Sequence, residues 1–152
     1  MITQLTGGVG GICHLLKNYY EDVRTRFHAP MPKQPVIVLI DNDKGANTVF
    51  EAIAGITKKK KPAGIAPFIH VTSNLYVVPT PLGPKKEQSC IEDFFDNATL
   101  ATPLNGKLFN GKKDADDSVH YGKSAFALNV VAKDANNIDF KKFHPILEEL
   151  FA

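Results

Sequence analysis

The chain has 152 residues, a length that suits one compact domain with a hydrophobic core. Its hydrophobic content of 43% and charged content of 22% are ordinary for globular proteins, and its net charge of +2 is too small to indicate nucleic-acid binding by itself. No apolar run approaches membrane-spanning length, and residues 1–4 do not resemble a signal peptide. Cys13 and Cys90 are too few and too far apart for a disulfide framework. We therefore expect a soluble, cytoplasmic protein without a membrane partner.

A glycine-rich turn lies near the N-terminus. A short, partly apolar strand is expected over residues 1–6, and glycines at 7, 8, 10 and 11 interrupt it. From Val9 onward the apolar residues fall on one helical face: Ile12, Leu15, Leu16, Tyr19 and Val23. The glycines could cradle a phosphate, or they could form a tight turn that needs positive φ. The G-x-G-x-x-G fingerprint is absent, because Cys13 occupies its last position.

The chain is organised around residues 35–46, Pro-Val-Ile-Val-Leu-Ile-Asp-Asn-Asp-Lys-Gly-Ala. The aliphatic run over residues 36–40 is typical of a central parallel strand buried on both faces, so we predict helices on both sides of it. Asp41 and Asp43 follow directly. Residues two apart in an extended chain point the same way, so these carboxylates can share one side.

This acidic turn is a candidate metal site. Open α/β sheets bind ligands at the carboxyl ends of their strands, and Mg²⁺ usually takes one or two carboxylates while it keeps several waters. We predict that Asp41 and Asp43 hold Mg²⁺ or Mn²⁺. The alternative is that Asp43 caps the next helix and Asp41 is solvated. An EF-hand is excluded, because its fifth and twelfth positions would be Gly45 and Ala52.

Helical spacing continues over residues 44–57, with Val49, Ile53 and Ile56 on one face. A lysine-rich loop follows. The candidates for binding nucleic-acid phosphates are Lys58, Lys59, Lys60, Lys61, Lys85 and Lys86, although lysine runs are more often solvated loops.

Two strand-like runs, 68–72 and 75–78, are separated by Ser73 and Asn74, which allows a hairpin. A short helix is expected over residues 89–95, where Ser89 and Glu92 have the spacing of a capping box.

The second half contains a long polar loop and two helices. Residues 97–118 are predicted to be a loop, and the P-loop-like run 106–113 fails because Lys113 stands where Ser or Thr must bind Mg²⁺. A helix is expected over residues 122–133, with Phe126 and Val130 inward. Pro145 begins a last helix, whose core residues would be Leu147, Leu150 and Phe151. The element order β-α-β-α-β-β-α-α indicates a single α/β domain with a mostly parallel sheet.

A glycine-rich turn after a first strand, followed by the run over residues 36–45, resembles the Toprim fold of topoisomerases, bacterial primases and some nucleases. Further segments are similar to the Toprim-like region at the C-terminal end of certain retron-type reverse transcriptases, which are RNA-directed DNA polymerases: 74–81, 91–95, 121–123 and 137–140. The resemblance spans most of the chain. It implies a C-terminal fragment of a longer chain, whose reverse transcriptase domain would be a partner.

The resemblance also implies site roles. Asp41 and Asp43 would bind a Mg²⁺ ion that stabilises charge on a phosphoryl group. Glu92 resembles an acidic position of some Toprim nucleases, and Lys123 would neutralise a phosphate; the alternatives are a helix cap and a solvated lysine. Thr6 stands where active Toprim enzymes carry a glutamate, and threonine cannot exchange a proton usefully near neutral pH.

No Tyr-x-Asp-Asp polymerase motif exists in the chain, so it cannot polymerise DNA alone. The expected function is an accessory domain that binds DNA or RNA phosphates through the Mg²⁺ site, with or without phosphodiester cleavage. One alternative is a non-catalytic module that binds nucleic acid or protein. Another is a haloacid-dehalogenase-like phosphatase with Asp41 as nucleophile. The residues Lys44-Gly45-Ala46 argue against it, because they interrupt the usual Asp-x-Asp-Gly-Thr motif.

Overall fold

The computed structural model describes residues 8–27, 33–83, 88–112 and 114–151, with side chains in the last helix up to residue 148. The chain divides into two compact units, Met1–Ile91 with Pro145–Ala152, and Glu92–His144. The expected first strand at residues 1–6 lies outside the described residues, as do Lys85 and Lys86.

The first unit contains a mixed three-stranded sheet. Its strands are β1 (Val36–Ile40), β2 (Ile69–Thr72) and β3 (Leu75–Pro79), in the order β1-β3-β2. β1 runs parallel to β3, whereas β2 and β3 are antiparallel. The described residues mix helices with small sheets of few strands, which is compatible with the α/β class. In the described part of the chain, however, the central strand is β3, and β1 pairs with β3 alone, so the predicted central position of β1 is not observed there.

Only one face of β1 joins the core. Val36 and Val38 pack against the core, whereas Ile37 is 37% exposed and Leu39 is 40% exposed. Alternate side chains of a strand point to opposite faces, so the predicted burial of both faces is wrong for this strand. The helices α1 (Val9–Thr25) and α2 (Ala46–Thr57) contribute to the same core as Val36 and Val38. The described residues therefore do not show helices covering both faces of β1.

The two long helices follow the predicted periodicity. α1 buries Leu16 completely, and α2 buries Val49 and Ile53. Gly8 precedes α1 with φ of +86°, which confirms a tight turn of the kind that favours glycine. The predicted hairpin is also confirmed, with Ser73 at φ of +50° between β2 and β3.

The second unit is built from short elements. They are a 3₁₀ turn at its boundary (Ile91–Phe94), α3 (Asn97–Leu100), the parallel pair β4 (Leu108–Phe109) and β5 (His120–Tyr121), α4 (Lys123–Phe126), a π-helical segment (Ala127–Val131), α5 (Ala132–Asp134) and a second 3₁₀ turn (Lys141–Phe143). Phe126 and Val130 are 2% and 4% exposed, so their predicted inward position is confirmed. The π-helical segment was not predicted.

The predicted loop over residues 97–118 contains more structure than expected. Besides α3 and β4, it forms a tight turn in which Leu104 and Lys107 exchange two backbone hydrogen bonds. Asn105 and Gly106 occupy the turn with φ of +51° and +78°. Asn-Gly is the preferred pair where both central residues need positive φ.

The last helix, α6 (His144–Phe151), begins next to Pro145 as predicted. Its buried face differs from the prediction, because Leu147 is 45% exposed and Ile146 is 2% exposed. The side chains of Leu150 and Phe151 lie outside the described residues. Among the described helices, none is long and apolar enough to cross a membrane.

Candidate functional site

The acidic turn between β1 and α2 is held by Asn42, the residue between the two aspartates. Asn42 is only 6% exposed. Its Nδ2 donates to the carbonyl oxygen of Gly64 at 2.7 Å and to that of Thr80 at 3.0 Å. Its backbone N–H donates to the Ser89 carbonyl at 2.8 Å. Buried polar groups are stable when they are hydrogen-bonded, so these contacts fix the backbone of the turn.

Behind Asn42 lies a buried pair of hydroxyl residues. Thr80 follows β3 and is fully buried, and its Oγ1 lies 2.7 Å from Oγ of Ser89. The Ser89 hydroxyl also donates to the Thr80 carbonyl at 3.1 Å. Ser89 therefore joins the support of the acidic turn. The predicted capping box with Glu92 is wrong, because the Ser89 hydroxyl bonds Thr80 instead.

The aspartates flank this inward-pointing asparagine. Asp41 is half-buried and Asp43 is exposed. Oδ1 of Asp41 accepts from the backbone N–H of Ile91 at 2.9 Å, and Oδ1 of Asp43 accepts from that of Gly45 at 2.7 Å. The Asp43 contact belongs to the turn before α2, whose N-cap residue is Gly45 and has no side-chain capping bond, so the alternative role of Asp43 as a helix cap is not observed. A carboxylate offers about four lone-pair positions, so accepting hydrogen bonds is compatible with metal binding.

The donor set at this turn is small. Over the part of the chain that the structure describes, no group of three or more His, Cys, Asp and Glu side chains could hold a metal ion. A site built on Asp41 and Asp43 would therefore depend on two carboxylates, water and ligand oxygens. That composition fits Mg²⁺, which keeps several waters and takes one or two protein carboxylates.

The glycine-rich turn before α1 lies beside the acidic turn. A Cβ at Gly45 would lie 2.9 Å from Cγ2 of Val9 and 3.0 Å from Oδ1 of Asp43. This close approach explains why residue 45 has no side chain. It also brings the N-terminal ends of α1 and α2 to the same region. Helix N-termini carry partial positive charge and free N–H groups, which favour anions.

The lysine run lies at the other end of α2. Lys58 ends that helix in a left-handed conformation, with φ of +59°. Because α2 has 12 residues, Lys58 lies about 18 Å from the start of this helix. The chain then turns back toward the acidic turn, since the Gly64 carbonyl accepts from Nδ2 of Asn42. Lys61 forms an exposed ion pair with Glu51, 3.0 Å between Nζ and Oε1. Lys58 is therefore not part of the aspartate site, whereas the later lysines of the run lead back toward it.

The second unit brings Glu92 and Lys123 together. Nζ of Lys123 lies 2.7 Å from Oε2 of Glu92, and that oxygen is inaccessible to solvent. Glu92 is thus buried in an ion pair, whereas the Lys123 side chain is still 43% exposed, in agreement with the solvated alternative for this lysine. A metal could reach Oε2 only after the ion pair had been broken.

The most informative residue that the sequence did not single out is Asn42. Its inward position continues the alternation of Val36, Val38 and Ile40, which all belong to the hydrophobic core or pack against it. A polar residue in phase with buried positions predicts a buried hydrogen-bond network. The sequence therefore contained a signal for a buried Asn42, but it did not show that Gly64 and Thr80 are the hydrogen-bond partners of Asn42.

No protein-family model and no solved structure shows a significant match to the chain. The function is therefore argued from the residues of the site and from the motifs of the sequence.

Proposed function

We propose that the chain is an accessory domain of a retron-type reverse transcriptase that binds nucleic-acid phosphates through Mg²⁺ or Mn²⁺ held by Asp41 and Asp43. The observation that carries the proposal is the acidic turn itself. Buried hydrogen bonds of Asn42 hold the turn at the carboxyl end of β1, with an exposed and a half-buried carboxylate on either side. A metal there would attract phosphate oxygens next to the N-terminal ends of α1 and α2.

Binding without efficient cleavage is the favoured form of this function. The buried oxygen of Glu92 is engaged by Lys123, which argues against its use as a metal ligand. Thr6, which lies outside the described residues, cannot supply the proton transfer of the usual glutamate. The assignment to a reverse transcriptase is supported by the sequence resemblance alone.

The lysine run extends the proposed interface. A strand that contacts the metal and also Lys58 would have to span the length of α2, about 18 Å. Successive phosphates of one strand are about 3.4 Å apart along a duplex axis, so about five nucleotides would be needed. Oligonucleotides of ten nucleotides should bind more tightly than those of three, and the binding should weaken as salt rises.

The metal half of the proposal is tested with the double variant Asp41→Asn, Asp43→Asn. Asparagine keeps an oxygen that can accept from the N–H groups of Ile91 and Gly45, so the turn should survive while the charge is lost. We expect Mn²⁺ binding, measured by paramagnetic broadening and calorimetry, to disappear. The matched control is Asp22→Asn, since Asp22 lies about 20 Å from Val9 along α1.

The nucleic-acid half is tested by fluorescence anisotropy with DNA and RNA oligonucleotides, in Mg²⁺ and in EDTA. We expect binding to need the metal and both aspartates. If the double variant binds the metal with the affinity of the parent, the two aspartates are turn residues and the metal proposal is wrong. If the protein cleaves the oligonucleotides rapidly in Mg²⁺ and the Asp41→Asn variant does not, the protein is a nuclease instead.

A further inference from the structure

The second unit contains a half-open groove of about 430 Å³ that the proposed function does not use. One wall is the Asn-Gly turn with Lys107, the floor is β5, and the other wall is the helical stretch from α4 to α5. Small-molecule sites typically have volumes of about 300–1,000 Å³. The groove is therefore large enough for a ligand the size of a sugar phosphate.

The lining carries an excess of nitrogen donors. Lys107, His120 and Lys133 face the groove, against one carboxylate residue, Asp117. Nζ of Lys107 donates to the backbone carbonyl of Asp117, which holds the lysine in place. An ammonium group has three protons, so this bond leaves donors for a ligand.

The carboxyl group of Asp116 interacts with two of the basic residues of the groove. Hydrogen bonds from Ser118 are the main cause that lowers the pKa of this carboxyl group. The charges of His120 and Lys107 lower the pKa further. Asp116 is therefore an acidic neighbour of Lys107 and His120 that is not part of the lining.

The helical wall presents Ala125, Asn129 and Lys133, each four residues after the last. In a regular α-helix such residues drift by about 40° at each step, because a turn holds 3.6 residues. The π-helical segment contains Asn129 and lies between Ala125 and Lys133, and all three residues line the groove. The unpredicted π-helical segment thus contributes the Asn129 amide to the groove, and such segments are frequent at functional sites.

The opposite wall also carries an amide. Asn105 has φ of +51°, an uncommon conformation that its turn requires. Asn105 and Asn129 can each donate and accept hydrogen bonds. Two amides suit the hydroxyl groups of a polar organic ligand, and the three basic side chains suit its charged end.

We propose that this groove binds a small phosphomonoester, a sugar phosphate or a nucleoside monophosphate. Lys107, His120 and Lys133 contact the phosphate, and Asn105 and Asn129 contact ligand hydroxyls. Three nitrogen donors match a phosphate group, whose several oxygens accept strong charge-assisted hydrogen bonds. The site does not involve Asp41 or Asp43, so it is independent of the function proposed above.

The test titrates the full chain with ribose 5-phosphate and AMP by calorimetry, in metal-free buffer. Adenosine and citrate serve as ligands without phosphate. We expect both phosphomonoesters to bind, and Lys133→Gln to weaken them by about tenfold or more, since hydrogen bonds to charged groups are the stronger ones. The matched control Lys112→Gln changes an exposed lysine of the same unit that is not part of the lining, and it should bind like the parent.

Backbone amide shifts of the parent protein give a measurement that no variant's folding can disturb. Ribose 5-phosphate should shift residues 105, 120 and 129, and the double variant Asp41→Asn, Asp43→Asn should keep this binding. The proposal is overturned if neither phosphomonoester binds at millimolar concentration. It is also overturned if citrate binds as tightly as ribose 5-phosphate, or if loss of both aspartates abolishes the binding.

Discussion

The acidic turn of the first unit and the groove of the second unit are supported in opposite ways. The turn is held by buried polar bonds of Asn42, Thr80 and Ser89. The groove lies beside an aromatic core that includes Tyr121 from its own floor, together with Phe126. A buried hydrogen bond is directional and is lost when one partner is removed, whereas packing in an aromatic core depends on how well the side chains fill the volume. The two regions should therefore respond to different substitutions.

The largest expected effect is at the aromatic core. Phe126 is 2% exposed, and its ring centroid lies 5.2 Å from that of Phe95 and 4.5 Å from that of Phe109. We expect Phe126→Ala to lower the free energy of unfolding by about 3–4 kcal/mol, because it removes a large apolar side chain and leaves a cavity. Urea denaturation followed by circular dichroism measures this. Leu128→Ala is the control, since Leu128 is 67% exposed, and an equal loss there would contradict the packing.

The polar support is tested by Asn42→Ala. This change leaves the part-buried carbonyl group of Gly64 and the buried carbonyl group of Thr80 without the Nδ2 donor, and the loss of a buried partner typically costs ~1–3 kcal/mol. We expect about 2–3 kcal/mol lower stability in urea, together with weaker Mn²⁺ binding. The exposed Asn47 provides the control, Asn47→Ala. Unchanged metal affinity in Asn42→Ala would show that the network does not position the aspartates.

Alanine substitutions at two glycines test the same region, because one should lower the stability of the protein and the other should raise it. A Cβ at Gly64 would lie 2.5 Å from Oδ1 of Asn42, so Gly64→Ala must displace the buried amide and should cost ~1–3 kcal/mol. Gly55 lies within α2 with open space around it, so Gly55→Ala should add ~0.5–1 kcal/mol. Thermal unfolding of both variants measures the difference. Equal shifts in the same direction would contradict the described contact.

The smallest change in stability is expected at an ion pair between the lysine run and α2. The Lys61–Glu51 ion pair is exposed, with side chains 42% and 67% accessible. We expect Lys61→Gln to change stability by at most about 0.5 kcal/mol, since exposed ion pairs are weak and screened by salt. The same variant should nonetheless weaken oligonucleotide binding in anisotropy measurements. A stability loss above 1 kcal/mol would mean that the pair is less exposed than described.

The comparison also shows which local features were predictable. Apolar residues at a 3.6-residue spacing indicated α1, α2 and the helical stretch after Gly122, and these helices are present. The hairpin was predicted because two residues that suit a turn, Ser73 and Asn74, separate two strand-like runs. These features depend on residues close together in the chain, where side-chain direction follows backbone geometry.

The sequence by itself determined that an aliphatic strand ends in two acids and is followed by a helix, because each step depends on neighbouring residues. Only the tertiary structure decided that β3 is the central strand of the described sheet, since strand neighbours are set by pairing between distant segments. It also decided that Glu92 meets Lys123 and that Asn42 meets Gly64 and Thr80. Each of these contacts joins residues at least 22 positions apart, a separation over which periodicity carries no information.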